Sequence, residues 1–142
     1  MSTSFAATHK AVAKIFDNWN PTDAVIFAEN QPEQPPTTAT WMRWSIRPAD
    51  TFAVDCNGAF ERTVGLVYVQ MFTPETQGTR AAHALADKLK TLFNEKRVAN
   101  DSGGVVVFSH VKVEYVSRDA NGWMQHNAYI SYSEDGASVL AA

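Results

Sequence analysis

The side chains able to do chemistry are few and scattered. Four histidines (His9, His83, His110 and His126) and a single cysteine, Cys56, stand among 142 residues. His83 and Asp87 lie four apart in a helical stretch, so they share a face, as two ligands of a metal ion would. A metal site needs a third ligand and hydrogen-bonded support behind it, and no residue nearby supplies one. The competing reading is a solvated pair giving roughly 0.3 kcal/mol to the helix. His126 shares a strand face with Met124, Ala128, Ile130 and Tyr132, which reads as a half-buried structural histidine rather than a catalytic one. Cys56 has no visible base to lower its pKa, so it reads as a small hydrophobe. Glu61 and Arg62 read as an ion pair, as interface charges or as solvated charges. The chain has no phosphate-binding Gly-x-x-x-x-Gly-Lys, no Gly-x-Gly-x-x-Gly and no His-Glu-x-x-His.

One constellation remains. In "TWMRWSIR", residues 40–47, strand alternation puts Met42, Trp44 and Ile46 on one face and Trp41, Arg43, Ser45 and Arg47 on the other. Interleaved aromatic and basic groups can hold single-stranded nucleic acid. They are also the residues enriched at protein–protein hot spots. In the third reading Trp41 is core and the arginines snorkel at its edge. A net charge of −3, from 12 basic and 15 acidic residues, weighs against a nucleic-acid grip, which needs a concentrated basic footprint.

The elements that must position these residues follow from periodicity. Residues 4–19 carry Phe5, Thr8, Val12, Ile15, Phe16 and Trp19 at helical spacing, with Ser2, Thr3 or Ser4 to cap the start and Asn20-Pro21 to stop it. "AVIFAEN", 24–30, reads as a short apolar strand, and the proline-rich 31–40 as a stiff loop. "TFAVDCNGAFERT" reads as a hairpin with a type I′ turn at Asn57-Gly58, which needs positive φ at both positions. Phe52, Val54 and Cys56 line one face of its first arm. Residues 63–72 are apolar on both faces, as a strand covered on both sides would be. Residues 79–96 form the clearest helix, with Ala82, Leu85, Ala86, Leu89, Leu92 and Phe93 inward, Thr79 as cap, and Lys88, Lys90, Lys96 and Arg97 toward its C-terminal end. "NDSGG" is a turn. Two strands, "VVVFSHVKVEYVS" and "WMQHNAYISYS", are joined through a second Asn-Gly, 121–122. Residues 134–142 read as a flexible tail.

The order α-β-β-β-β-α-β-β predicts an α+β domain spanning 1–142, with an N-terminal helical segment 1–22. Its sheet is mostly antiparallel, with two helices packed on one face and a projecting β-hairpin. At 45% apolar and 19% charged, the chain is globular rather than disordered. It shows no run of the roughly 20 apolar residues that span a bilayer, and no basic-then-apolar leader. A single cysteine allows no internal disulfide and fits a reducing compartment. The expectation is a soluble, intracellular protein with no membrane contact. Residue types and spacing stop there, with no visible active site.

The order of segments resembles the tail terminator proteins of long-tailed bacteriophages. The resemblance runs from about Asp23 to Tyr132. It takes in "AVIFAENQPEQPP", then "TWMRWSIRPAD", then "NGAFERTVGLVYVQMFTPETQGTRAAHALADKLKTLF". In that last piece a strand ending in aromatic-x-Pro leads through a Gly into an Ala-x-x-Leu-Ala-Asp-x-Leu helix. It closes on "NGWMQHNAYISYS". The resemblance implies a structural virion protein: a six-membered ring on the head-proximal end of the tail tube. Such a ring stops tube polymerisation and presents a surface to the head connector. Its partners would be further copies of itself, the major tail tube protein and the connector or neck protein. DNA would pass through the lumen ungripped, which suits a net acidic subunit. Neither catalysis, metal nor cofactor is implied. Candidate interface residues are Trp41, Arg43 and Arg47 on the strand, and Phe52, Val54, Phe60, Glu61 and Arg62 on the hairpin, which could be an arm reaching a neighbour or the tube. The alternatives are another head–tail joining protein, such as a head-closure or tail-completion factor, or a small α+β ligand-binding or enzyme domain.

Overall fold

A computed structural model describes residues 4–19, 24–28, 39–74, 76, 78–101, 103–118 and 122–137. The Asn20-Pro21 stop, most of the proline-rich loop, Asn121 and residues 138–142 lie outside the described residues. The elements in chain order are α1 (Phe5–Trp19), β1 (Val25–Ala28), β2 (Trp41–Ala53), β3 (Phe60–Pro74), α2 (Gly78–Phe93), β4 (Arg97–Ala99), β5 (Val105–Arg118) and β6 (Trp123–Ala137). The strands form one curled, mixed six-stranded sheet in the order β1-β2-β3-β6-β5-β4. Only β1 runs parallel to its neighbour. The fold is therefore α+β.

Two differences from the expected order have local causes. Residues 41–53 form one strand, not two, because a bulge between Pro48 and Asp50 absorbs the proline without ending the pairing with β3. Helix α2 stops at Phe93, three residues early. Glu95 takes a left-handed φ of 57°, a helix-ending conformation, and Lys96 N–H returns to the Phe93 carbonyl. Arg97–Ala99 then adds the short strand β4 to β5.

The core joins both helices to one alternation set of the sheet. Val12, Ile15 and Phe16 of α1, and Leu85, Ala86, Leu89 and Phe93 of α2, cluster with Met42 and Trp44 of β2, Val67, Val69 and Met71 of β3, and Ala128, Ile130 and Tyr132 of β6. Phe16 stacks on Trp44 with ring centroids 5.0 Å apart. Phe5, expected inward, is 58% exposed, because the buried stripe of α1 begins at Thr8. Gly65 leaves room where the sheet is tightest: a Cβ there would lie 2.6 Å from the Arg47 carbonyl oxygen and 2.7 Å from Tyr132 Oη.

The expected flexible tail from residue 134 is corrected at its start. Glu134 to Ala137 continue β6, and Glu134 is fully buried. Its carboxylate accepts hydrogen bonds from Ser4 N–H (3.0 and 3.2 Å), Thr8 Oγ1 (2.8 Å) and Asn100 Nδ2 (2.6 Å). Ser4 caps α1 by accepting from Ala7 N–H at 3.1 Å. The carboxylate thus sits at the positive end of the helix and ties α1 to β6 and to the β4–β5 turn. Burial, and next the charge of Glu134, push the Tyr132 hydroxyl up to about 12.

Candidate assembly interface

The β2 bulge decides which side chains meet. Ahead of it, Met42, Trp44 and Ile46 face the core opposite Met71, Val69 and Val67. Beyond it the phase is reversed: Thr51 stands opposite buried Thr63 on the core side, with their hydroxyls 2.8 Å apart, and Phe52 stands opposite Arg62 on the other. Trp41, Arg43, Arg47, Phe52, Phe60 and Arg62 therefore belong to one alternation set, opposite the core. Two groups of candidates that are separate in the sequence form one face. Glu61 belongs to the core-side set and lies opposite Ala53.

At the β1 end of this face Trp41 is only 8% exposed, and among the described residues its ring partners come from the sheet. It stacks on Phe72 at 4.1 Å, meets Phe27 edge-on at 6.0 Å, and carries the Arg43 guanidinium 5.3 Å above its ring. Its burial is complete within its own chain. Arg47 lies 4.9 Å from the Tyr68 ring. Tyr68 and Tyr129 are tilted together, and Asn127 Nδ2 donates to Tyr68 Oη at 2.6 Å while Gln125 Nε2 donates to Asn127 Oδ1. Burial raises the Tyr68 hydroxyl above its ordinary range, reinforced by Tyr129 and opposed by Arg47. Residues 63–72 are thus covered unevenly: Val67, Val69 and Met71 are sealed, whereas Leu66 is 37% exposed.

At the far end the face turns apolar. Phe52, Val54 and Phe60 are 44%, 44% and 55% exposed. The connection between the strands is not the expected two-residue turn. Only Gly58 has positive φ, Gly58 N–H reaches the Asp55 carbonyl, and Val54 N–H closes on the Phe60 carbonyl. The type I′ geometry would also need a left-handed Asn57. Strand β6 accompanies β3 to its last residue, Phe60 opposite Ala137. Arg62 Nε and Nη2 grip Asp135 at 2.6 and 3.1 Å. The hairpin is thus the end of a ribbon of at least three strands.

A second exposed apolar pair was missed in the sequence: Tyr115 at 51% and Val116 at 42%, near the end of β5. A second bulge, between Tyr115 and Ser117, breaks the alternation there. Their neighbour His126 is fully buried, not half-buried, and neither ring nitrogen has a hydrogen-bond partner among the described residues. It lies edge-on between the rings of His83 on α2 (5.9 Å) and Tyr115 (5.2 Å) and opposite Met71 of β3. Among the described residues no group of three or more His, Cys, Asp or Glu could hold a metal ion.

Burial, and next the charge of His83, hold the His126 imidazole below its ordinary pKa of 6.5. The unfolded chain then binds the extra proton, so stability is full above about pH 6.5 and falls as the pH drops from there through the folded pKa. Urea unfolding across pH 5–8 should show this loss, roughly 1.4 kcal/mol for each unit by which the pKa is held down. His126→Leu should flatten that limb of the profile. An unchanged pH slope in the variant would exclude His126 as its source.

The family described as phage tail terminator protein matches residues 7–132, a span that takes in α1 as well as the sheet. A solved structure superposes with a TM-score of 0.67 at 22% identity, covering 94% of this chain and 96% of its own, and so shares the fold. No curated protein matches the sequence.

Proposed function

We propose that this chain, which belongs to the phage tail terminator family, closes into a ring of six on the head-proximal end of the tail tube. In this reading it stops tube growth and offers its outer surface to the head connector. The family gives the chain a structural role in a phage tail. The ring, the tube contact and the connector contact are the finer reading, and it calls for no catalysis and no cofactor.

The observation that carries it is the placement of two unlike apolar patches. Phe52, Val54 and Phe60 lie at the β2–β3 end of the sheet, level with Ala137 of β6. Tyr115 and Val116 lie on β5, level with His126 and Gln125. The eleven residue steps from His126 to Ala137 put roughly 36 Å between those levels along β6, and β2 and β5 lie toward opposite edges of the sheet. A closed ring needs two non-identical patches on opposite flanks, each meeting the other kind on the next subunit. With the helices read as covering one face of the sheet, the face from Arg43 to Arg62 is left for partners. Arg43, Arg47 and the Tyr68–Asn127–Tyr129 cluster then form its polar rim.

The reading is tested by adding the purified chain to polymerising major tail tube protein. Growth should stop at one end, with the chain found at the tips of short tubes. Unaltered growth, with no chain at the tips, would contradict it.

A further inference from the structure

The buried side-chain polar atoms left without a hydrogen-bond partner among the described residues lie in one place. They are Nδ1 and Nε2 of His126 on β6 and Oγ1 of Thr73 on β3. His126 stands opposite Met71 and Thr73 opposite Met124, so the two are diagonal neighbours on the core side of the sheet, with backbones roughly 7 Å apart. The walls around the imidazole differ in firmness. The ring of His83, 5.9 Å away, is exposed, but its helix is anchored around it by buried Ala82, Leu85 and Ala86. The ring of Tyr115, 5.2 Å away, is half exposed and stands at a bulge. Strand β4 pairs with β5 only from Val105 to Val107, so among the described residues Tyr115 lies on an open edge of the sheet.

We propose that His126 is an acid-sensitive device beneath the exposed Tyr115–Val116 pair: when it takes a proton Tyr115 is forced off the sheet, so the patch exists at neutral pH and is dismantled in mild acid. A neutral imidazole sealed among apolar groups forgoes its hydrogen bonds. An imidazolium carries a charge and two N–H donors, and keeping those from water costs far more. The two donors point away from each other, so Thr73 Oγ1 can serve only one of them. The titratable groups that face the ring are His83 from α2 and Tyr115 from β5. Strand β3 faces it with Met71 and Thr73, and its own strand flanks it with Met124 and Ala128. Burial and the charge of His83 oppose its protonation, and no carboxylate offsets them. The charged ring must therefore reach water, and the wall that yields is Tyr115. The consequence for assembly rests on the ring reading; the movement of Tyr115 does not.

The test is aromatic NMR of the full chain with carbon-13 tyrosine rings, titrated from pH 8 to pH 5. The chain carries Phe52→Ser/Val54→Ser so that ring formation does not enter, and Tyr115→Phe assigns the signal. Tyr115 should leave its neutral-pH position with the same midpoint as the His126 imidazole, while Tyr68, Tyr129 and Tyr132 keep theirs. His126→Leu, which fills the site and takes up no proton, should abolish the movement. His83→Gln, which removes the opposing charge, should shift the midpoint to higher pH. A Tyr115 signal that holds its position to pH 5 would overturn the proposal. So would the same movement in His126→Leu, or all four tyrosines moving together, which is unfolding of the whole chain. Size-exclusion chromatography of the chain with Phe52 and Val54 intact then reads assembly. Rings present at pH 7.5 should be lost at pH 5.5 and kept in His126→Leu. Wild-type rings that persist at pH 5.5 would overturn the link to assembly, whereas rings absent at every pH would contradict the ring reading alone.

Discussion

Replacing Phe52 and Val54 with serine should leave the chain folded and abolish the proposed ring. Both side chains are exposed in the isolated chain, so their loss should cost less than about 0.5 kcal/mol of folding stability. In the assembly each would be buried against the next subunit. Removing the pair then costs roughly 3 kcal/mol per contact, more than a hundredfold in affinity. The same result is expected for Tyr115→Ser/Val116→Ser, because a head-to-tail contact needs both patches. The two variants mixed provide the sharper experiment. One retains the β5 patch and the other the ribbon patch, so a single good contact can form between them, and native mass spectrometry should show heterodimers and no rings. Intact rings from either variant alone would defeat the assignment of that patch.

The largest loss of stability is expected from Glu134→Ala. The substitution removes an acceptor buried among Ser4 N–H, Thr8 Oγ1 and Asn100 Nδ2, and it frees the start of α1. Hydrogen bonds to a buried charge are the strong ones, and donors left behind carry their full desolvation cost. The expected loss is about 3 kcal/mol, a fall in Tm of roughly 6–12 °C for a domain of this size. Glu134→Gln keeps the volume but turns an amide NH2 toward donors, so it should recover only part of the loss. Differential scanning calorimetry checks both. A Tm within about 1 °C of wild type for the alanine variant would show that the network carries no stability.

The same two sites show how far the residues could be read in advance. Helical spacing located α1 and α2, and strand alternation divided "TWMRWSIR" correctly into Met42, Trp44 and Ile46 against Trp41, Arg43 and Arg47. What covers Trp41 was not legible, because Phe72 is its partner only through the β2–β3 register. The bulge at Pro48–Asp50 was hidden for the same reason. A change of phase within a strand shows only against the opposing strand, and here it moves Phe52 onto the Trp41 face. Glu134, in a charged stretch before a glycine, has the pattern of a solvated tail. Its donors come from Thr8 and Asn100, which are 126 and 34 residues away in the chain. Of the candidate interface, the exposed apolar ribbon was readable from Phe52, Val54 and Phe60. Tyr115 and Val116 were not, because β5 breaks its alternation where they stand.

A chain that ends the tail tube sets tail length, so tail length is the decisive quantity. Electron microscopy of particles made by the phage with this gene deleted should show headless tubes of uncontrolled length, restored to uniform length by the wild-type chain supplied in trans. The Phe52→Ser/Val54→Ser variant should fail to restore them. Tails of normal, uniform length in the deletion would contradict termination, whether or not heads are attached.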